Sequence, residues 1–320
     1  MTVESASFEQ QYQALRNGGA MVELTGWSSV TLTGADRQTF LHNFCTNDVK
    51  RLVPGTSCEA FITNVKGKIV GHGLITCRDD ELVVIGAPNQ GSELVAHLDR
   101  YVIREDVVLQ DTTSERAYVL VAGGEELARK FRYIVSLLRE KLMLREIGWD
   151  LLPQCFCQIL EVNPHDQAQL RQALLDHGAP TCDEAAFQAV RIESGTPLFG
   201  LDFDDRNFPQ EIGRDKQAIS FTKGCYLGQE TVARIDALGH VNRQILGVSF
   251  AGQEVPSAGM ELSFAGTSVG HVTSATYSPQ IGAPLALAMV RREWSAPGSK
   301  LESSVGECKV VALPVGAGGS

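Results

Sequence analysis

The residues of this chain best suited to chemistry lie in one octet, in which a cysteine stands between two glycines. It reads Lys223-Gly224-Cys225-Tyr226-Leu227-Gly228-Gln229-Glu230. The residues that follow predict the first turns of a helix, so Cys225 precedes a helix N-terminus, where free N–H groups and partial positive charge lower a thiol pKa. The charge of Lys223 acts in the same direction. The octet therefore predicts a reactive thiol at Cys225; the alternative is a small buried side chain in a tight turn.

This octet resembles the K-G-C-Y-x-G-Q-E signature of the YgfZ family, folate-binding proteins related to the T-protein (aminomethyltransferase) of the glycine cleavage system. The chain matches it at every fixed position. Other segments resemble motifs of the same superfamily, and they extend the resemblance over nearly the whole chain. They are Gly34-Ala35-Asp36-Arg37, Thr46-Asn47-Asp48-Val49, Arg191–Gly200, Phe208–Glu211 and Gly270–Pro279.

The resemblance implies a T-protein-like α+β fold of three domains. A discontinuous α+β domain that binds folate would comprise residues 1–53 and 148–240. A second α+β domain, residues 54–147, would be inserted within it, and residues 241–320 would form a C-terminal antiparallel β-barrel. The sequence pattern agrees, because helices and strands mix without strict alternation before residue 240 and only short β runs with Gly and Pro turns follow.

The resemblance also implies a function. It indicates a cytoplasmic factor that binds tetrahydrofolate, or a derivative, and acts in the assembly or repair of iron–sulfur enzymes, including those that modify tRNA. Iron–sulfur client or assembly proteins would be its partners. Cys225 would be the functional thiol, and Lys223, Tyr226 and Arg234 are candidate folate-binding side chains, although Tyr226 could equally pack as an aromatic anchor.

Glu193 is the second candidate for chemistry. It falls at the end of a predicted helix, where the macrodipole disfavours a carboxylate, so it requires a compensating partner. The adjacent N–H and NH₂ groups of a pterin could supply one in bidentate fashion. In T-proteins the glutamate of the R-[IL]-E-x-G segment contacts the pterin, and the resemblance carries that role to Glu193. The alternative is an ion pair with Arg191 or another nearby basic residue.

One segment departs from the T-protein pattern. T-proteins carry G-x-I-x-D-D in this hairpin, and its first aspartate is the catalytic carboxylate near the folate nitrogen. Gly71 and His72 occupy the matching positions here, so an aminomethyl transfer that depends on that acid should fail or be very slow. His72 is a possible replacement as a proton carrier, but a lone histidine on a strand is more often a plain surface or core residue.

Two other functions therefore stay open. The first is a folate-dependent one-carbon transferase or demethylase of the aminomethyltransferase type, against which the Gly71-His72 pair counts. The second is a non-catalytic interaction scaffold in which Cys225 is structural. Alkylation of the native protein separates the scaffold from the other two, because an activated Cys225 should react first.

The composition describes an acidic globular protein. The 320 residues carry a formal net charge of −10, which argues against broad attraction to nucleic acid or to an anionic membrane. A local basic pocket for an anionic ligand remains open, and its candidates are Arg214, Lys216, Lys223, Arg234 and Arg243. We find no apolar core of a signal peptide in the first 20 residues and no apolar run of about 20 residues, so we expect a soluble, cytoplasmic protein.

The eight cysteines are scattered, without a C-x-x-C pair, and we expect free thiols. Cys155 and Cys157 form the only close pair. In an extended segment both face the same side, where a metal-ligand pair is possible but two buried strand cysteines are favoured. We therefore predict no metal site.

Several elements are predicted to position these residues. A helix that begins at Gln229 follows the octet, a helix from Cys182 to Glu193 ends at Gly195, and a strand spans residues 68–76. Ser92 is a candidate cap for a helix through Tyr101. Further apolar residues recur at helical spacing and predict an amphipathic helix. They are Leu127, Phe131, Ile134, Leu138 and Leu142.

Overall fold

The computed structural model describes residues 6–316, apart from the side chains of residues 127 and 128. Eight α-helices lie within this part of the chain. They are α1 (Phe8–Arg16), α2 (Arg37–His42), α3 (Gly91–Asp99), α4 (Glu125–Leu142), α5 (Gln167–Asp176), α6 (Glu184–Ser194), α7 (Asp215–Ala218) and α8 (Gln229–Leu238).

The same part of the chain holds fifteen β-strands. They are β1 (Gly19–Glu23), β2 (Trp27–Thr33), β3 (Ser57–Thr63), β4 (Ile69–Cys77), β5 (Leu82–Pro88), β6 (Val108–Asp111), β7 (Ala117–Gly123), β8 (Arg145–Ile147), β9 (Phe156–Val162), β10 (Arg243–Phe250), β11 (Glu261–Phe264), β12 (Thr267–Ser278), β13 (Ala283–Arg291), β14 (Lys300–Ser303) and β15 (Gly306–Val311).

The chain divides into two compact units, each built from segments that are distant in sequence. The first unit comprises Met1–Leu24, Ala117–Thr196 and Leu246–Ser320, and the second comprises Thr25–Arg116 and Pro197–Ile245. The boundaries of these units differ from the predicted three-domain boundaries at 53/54, 147/148 and 240/241. The three-domain division stays a prediction.

The second unit is built on a five-stranded antiparallel sheet of order β3-β4-β5-β2-β6. Its core joins the sheet to helices α2 and α3 through Phe40, Leu41, Ile75 and Leu94, all of which are buried. The β3–β4 hairpin turns at Gly67, whose φ of +73° is one that an L side chain rarely adopts. This hairpin carries the Gly71 and His72 positions.

The first unit contains a four-stranded sheet of order β1-β7-β9-β8. Helix α4 buries Phe131, Ile134, Leu138 and Leu142 in the core beside it, as their spacing predicts. Leu127 lies outside the described side chains. Among the described helices, including α4 with its 18 residues, none is both long and apolar enough to cross a membrane.

Residues from 243 onward in the described chain form a closed six-stranded antiparallel barrel of order β10-β13-β12-β11-β14-β15. Its interior is filled by aliphatic side chains that alternate along the strands, among them Val248, Leu262, Ala288 and Val310. The predicted α+β class with a C-terminal antiparallel barrel is thus confirmed.

Two helix starts differ from the sequence-based expectation. Helix α3 begins at Gly91 with Gln90 as its N-cap, and no side chain caps it, so the cap predicted at Ser92 is wrong. Helix α1 was not predicted, although Ser7 and Gln10 form a capping box at its start. The predicted end of α6 is right, because Gly195 takes the left-handed conformation at φ +74°.

Candidate functional site

The signature octet is a loop of the second unit, and two hydrogen bonds hold the backbone of its Leu227. The Leu227 N–H donates to the Asn43 carbonyl at 2.8 Å, and the Thr63 hydroxyl donates to the Leu227 carbonyl at 2.6 Å. A Cβ at Gly228 would lie 2.4 Å from the Asn64 carbonyl oxygen, so only glycine fits against the β3–β4 turn. The loop is therefore fixed by helix α2 on one side and by the hairpin on the other.

Lys223 lies beneath this loop and is only 7% exposed. Its Nζ donates to the carbonyls of His42 and Cys45, both at 2.6 Å, just where α2 ends and leaves carbonyls without intrahelical partners. The ammonium also lies 4.8 Å from the Tyr226 ring centroid, within cation–π range. Burial lowers the pKa of Lys223. The Lys223 ammonium thus binds the carbonyls at the end of α2. Its predicted lowering of the Cys225 thiol pKa stays a prediction.

Tyr226 is buried, and burial raises the pKa of its hydroxyl. This is the position of an aromatic anchor under the loop. Arg234, by contrast, lies on the exposed surface of α8. Of these two predicted folate-binding residues, only Arg234 has a side chain that a ligand in solvent can reach.

Cys225 stands at the outer side of the loop, four positions before the first residue of α8. All eight cysteines lie within the described residues, and Cys225 alone among them is exposed. Burial raises the pKa of the Cys45 and Cys182 thiols, the latter to about 11. Cys225 is consequently the thiol that a solvent-borne partner reaches first.

Glu193 occupies the first unit, in the last turn of α6, and its carboxylate is 0% exposed. Oε2 accepts from the Tyr12 hydroxyl at 2.7 Å, and Oε1 accepts from the Ser278 hydroxyl at 2.5 Å and from the Gln280 N–H at 3.2 Å. Arg16 Nη1 lies 3.8 Å from Oε2. The Glu193 carboxylate at this helix end is therefore bonded to neutral donors, and Arg16 is a more distant cationic partner.

Arg191 is not that partner. Its Nη1 donates to the Thr196 carbonyl at 2.7 Å, its Nη2 to the Ser274 hydroxyl at 3.0 Å, and its Nε to Gln188 at 2.8 Å. The guanidinium thus joins the C-terminal turn of α6 to barrel strand β12. The ion pair with Arg191 that the sequence left open is not formed.

The positions that replace the T-protein aspartates face a packed interior. A Cβ at Gly71 would lie 2.4 Å from Leu94 Cδ2, so a longer side chain would displace a buried leucine. His72 is buried, its Nε2 lies 2.9 Å from Glu59 Oε1, and its ring packs on Phe61. Neither position presents a proton-transfer group to solvent.

His72 belongs to a buried cluster that sequence reasoning missed. Arg214 donates from Nε to Glu59 Oε1 at 2.8 Å, and its Nη2 forms an ion pair with Oε2. Burial favours the neutral acid, but the bonds from Arg214 and His72 outweigh it and hold the pKa of Glu59 well below its usual range. Glu59 lies in a strand of mainly apolar residues, and this pattern indicates a buried carboxylate that needs a partner. The partner, Arg214, is too distant in sequence for the pattern to identify it.

The predicted basic pocket around the octet is largely neutralised. Arg214 is paired with Glu59, and Arg243 donates from Nε to Glu211 Oε1 at 3.1 Å. Lys223 is bonded to carbonyls, which leaves Lys216 and Arg234 exposed. Of the five predicted basic residues, Lys216 and Arg234 are therefore the two that an anionic ligand in solvent can reach.

Cys157 lies in strand β9 and Cys155 directly precedes that strand. Both are half-buried, and burial raises the pKa of the Cys155 thiol to about 11. Burial likewise raises the pKa of Cys157. Within residues 6–316, no three or more His, Cys, Asp or Glu side chains group as metal ligands do.

The chemistry of Glu193 fits the donor edge of a pterin, because an ionised carboxylate accepts at about four lone-pair sites and its present partners are mainly neutral donors. The packing around it is closed. A folate would therefore have to take over hydrogen bonds that Tyr12 or Ser278 now donates. Of the four predicted folate-binding residues, Arg234 alone is exposed.

Comparison with known proteins gives a consistent result. The model of the GCVT N-terminal domain matches residues 2–130, and that of the glycine cleavage T-protein C-terminal barrel domain matches residues 243–316. A curated relative named aminomethyltransferase from Nostoc sp. is 24% identical over 327 residues, which cover 95% of this chain and 85% of the relative. Another of that name from Geobacillus kaustophilus is 26% identical over 332 residues, covering 95% and 88%.

The fold has a solved counterpart. The crystal structure of glycine cleavage system aminomethyltransferase T from Bartonella henselae superposes with a TM-score of 0.83 at 15% identity, and the match covers 96% of this chain and 89% of that one. The T-protein-like fold predicted from the motifs is thereby confirmed. The two domain matches support the glycine cleavage T-protein superfamily at the level of the GCVT N-terminal domain and the C-terminal barrel domain.

Proposed function

We propose that this protein is a YgfZ-type member of the superfamily, a tetrahydrofolate-binding factor that acts in the assembly or repair of iron–sulfur enzymes, including those that modify tRNA. Cys225 is its working thiol. The observation that carries the proposal is the exposure of this one cysteine on a loop fixed by Thr63 and Asn43. Its sequence context is the full octet of the YgfZ signature.

The folate part of the proposal rests on Glu193. The Glu193 carboxylate accepts hydrogen bonds from hydroxyl groups whose hydrogens can rotate away. A pterin that donates two N–H groups replaces the Tyr12 and Ser278 hydroxyls as partners of the carboxylate. In the second unit, Lys223 and Tyr226 support the loop from beneath and Arg234 is exposed, and their predicted contacts with folate stay part of the proposal.

The second candidate function is aminomethyl transfer, which the names of the curated relatives favour. Against it stands the pair Gly71 and His72, since one position has no side chain and the other is bonded to Glu59. The assay is formation of methylene-tetrahydrofolate from an aminomethylated lipoyl carrier protein. A rate comparable to that of a genuine T-protein would favour this candidate over the first.

A scaffold without thiol chemistry is the third possibility. Iodoacetamide labelling of the native protein separates it, because a working thiol at Cys225 should be modified before the buried Cys45 and Cys308. Equal and slow labelling of all three would favour a structural role for Cys225.

The proposal itself is tested by rescue in bacterial cells that lack their own related factor. The wild-type chain should restore the activity of iron–sulfur enzymes, measured in extracts, and should bind tetrahydrofolate in a calorimetric titration. If the chain binds tetrahydrofolate but restores no iron–sulfur enzyme activity, the folate part of the proposal stands and the iron–sulfur role is refuted.

A further inference from the structure

The outer wall of the barrel contains a cavity that the proposed function does not use. Its volume is about 370 Å³, which lies in the range of small-molecule sites. Strands β10, β14 and β15 and the turn before β13 contribute to its lining, so the cavity lies within the first unit. Six of the residues that line it are Ser249, Ile281, Ala283, Lys300, Glu307 and Lys309.

Two lysines lie directly opposite each other in this wall. Lys300 pairs with Lys309 across β14 and β15, and Lys309 pairs with Ser249 of β10 on its other side. Lys309 stands between Cys308 and Val310, whose side chains belong to the barrel core, so it projects outward. Residues that are directly opposite on one face have Cβ atoms about 5 Å apart. The row therefore brings two lysines and one hydroxyl together on the outer face.

This row has no partner within residues 6–316. Neither Lys300 nor Lys309 forms an ion pair there, and the Ser249 hydroxyl forms no hydrogen bond. Like charges directly opposite each other destabilise a pair of strands. Ser249 is only 8% exposed and lines the cavity, so a ligand in the cavity is within reach of its hydroxyl. An anion at this row would relieve the repulsion and accept hydrogen bonds from all three groups.

An acidic side chain lies beside the row and limits what the cavity accepts. Glu307 precedes Lys309 by two positions on β15, so both project to the same face about 7 Å apart along the strand. Glu307 is opposite Glu302, and in the described chain neither glutamate forms an ion pair with either lysine. A second anionic group near Glu307 would be repelled. The lining therefore favours a ligand with one anionic group and a neutral remainder.

Apolar side chains form a wall for that remainder. Ile281 is 38% exposed and is one of the large apolar side chains that the fold leaves open to solvent. Ala283 and Val311 are half-buried and line the same cavity. An apolar group packed against them would leave water, which is favourable in proportion to the area buried. The cavity thus combines an apolar wall with a few convergent polar groups, as small-molecule sites do.

We propose that this cavity binds a small phosphate monoester that carries an apolar or aromatic group. A phosphate monoester has a charge of about −2 at pH 7 and three strong acceptor oxygens, which match Lys300, Lys309 and Ser249. Its apolar group packs against Ile281 and Ala283. The net charge of −10 on the chain disfavours the anionic surface of a membrane, so the ester is a soluble one. The inference goes beyond the proposed function and does not depend on it.

The test is calorimetric titration of the full chain with phenyl phosphate at low ionic strength. Lys300→Gln and Lys309→Gln should each weaken binding at least about tenfold, because each loses a charge-assisted contact with the phosphate. The control is Lys141→Gln, the same change of charge on the exposed surface of α4, and it should bind as wild type does. Absence of binding to wild type, or equal affinities of wild type and Lys309→Gln, would overturn the proposal.

Melting temperature separates a ligand site from a structural role of the two lysines. Each variant removes one of two directly opposed like charges, so it should melt at the wild-type temperature or above it. Weaker binding together with unchanged or raised melting temperature supports the proposal. Lowered melting temperatures in both lysine variants would mean that the lysines stabilise the barrel, and would contradict a site built for a ligand.

A series of ligands tests the chemistry assigned to the cavity. Inorganic phosphate should bind more weakly than phenyl phosphate because it buries no apolar surface, and benzoate should bind more weakly because it carries a single charge. Equal affinity for either of them and for phenyl phosphate would refute the assignment. Tetrahydrofolate should bind wild type and Lys309→Gln equally. A loss of folate affinity of about tenfold would assign the cavity to folate and overturn the proposal.

Discussion

Two of the buried glutamates in the described chain, Glu59 and Glu193, have carboxylates with opposite kinds of partner. Glu59 is held by the guanidinium of Arg214 and the imidazole of His72. Glu193 is held by two hydroxyls and a backbone N–H, with its one cation, Arg16, at 3.8 Å. Both carboxylates are closed off from solvent, yet only the first has a cation bonded to both of its oxygens.

This difference separates a structural carboxylate from one that can change partners. A buried ion pair cannot exchange one member without leaving the other charge unpaired, so Glu59 and Arg214 are committed to each other. Hydroxyl donors leave no charge behind when they rotate away, and this is what the proposed binding of a pterin at Glu193 requires. We therefore expect the Glu59 cluster to stabilise the fold, and we propose ligand exchange only for the Glu193 cluster.

The largest effect is expected at Glu59. Glu59→Gln removes the negative charge that is bonded to the buried Arg214 guanidinium, and it should cost about 3–5 kcal/mol of unfolding free energy. Urea unfolding followed by circular dichroism measures it. The matched control is Glu126→Gln, which removes an exposed pair with Lys130 and should leave the midpoint in place. A cost at Glu59 as small as in the control would mean that the cluster is not structural.

The same residue sets an acid limit on stability. The folded pKa of Glu59 is depressed, so its contribution is complete above the unfolded value of about 4.3 and is lost as pH falls below it. Wild type should therefore lose stability below about pH 4.5 more steeply than Glu59→Gln. Parallel stability curves from pH 7 to pH 3 would contradict this cause.

A smaller loss of stability, joined to a loss of ligand, is expected at Glu193. Glu193→Gln weakens hydrogen bonds to a charged acceptor, which should cost ~1.5–3 kcal/mol in stability and, for tetrahydrofolate, about one to two decades in affinity. Calorimetric titration of the folded variant gives the affinity. An unchanged affinity beside a lowered stability would assign Glu193 to the structural class with Glu59.

The smallest loss of stability is expected for a substitution at Tyr12, and the direction of its effect on tetrahydrofolate affinity is informative. Tyr12→Phe removes the hydroxyl that occupies Glu193 Oε2, and it should cost about 1 kcal/mol in stability. Because the variant also removes a competitor of the pterin, its affinity for tetrahydrofolate should rise. A fall in affinity by calorimetry would mean that Tyr12 itself binds the ligand.

The sequence predicted those features of the molecule that depend on neighbours along the chain. The end of α6 at Gly195, the apolar face of α4 and the C-terminal barrel follow from local pattern and turn residues. The octet likewise marked Cys225, which the fold leaves exposed.

Partners that are distant in sequence could not be predicted. Lys223 bonds to carbonyls 181 and 178 residues away, and Arg214 meets Glu59 across 155 residues. Local pattern says only that such charges need partners, and it does not say which ones. Local pattern therefore predicted that Lys223 acts on Cys225 and that Arg214 lines an open basic pocket. In the fold, both side chains are buried and bonded to interior groups.

The central claim is that Cys225 is needed for function but not for folding or folate binding. The direct measurement compares Cys225→Ser with wild type for melting temperature, tetrahydrofolate affinity and rescue of iron–sulfur enzymes, with Cys58→Ser, in the same unit, as the control. Because the side chain is exposed, the account predicts unchanged melting and affinity for Cys225→Ser together with failed rescue. Full rescue by Cys225→Ser would contradict it.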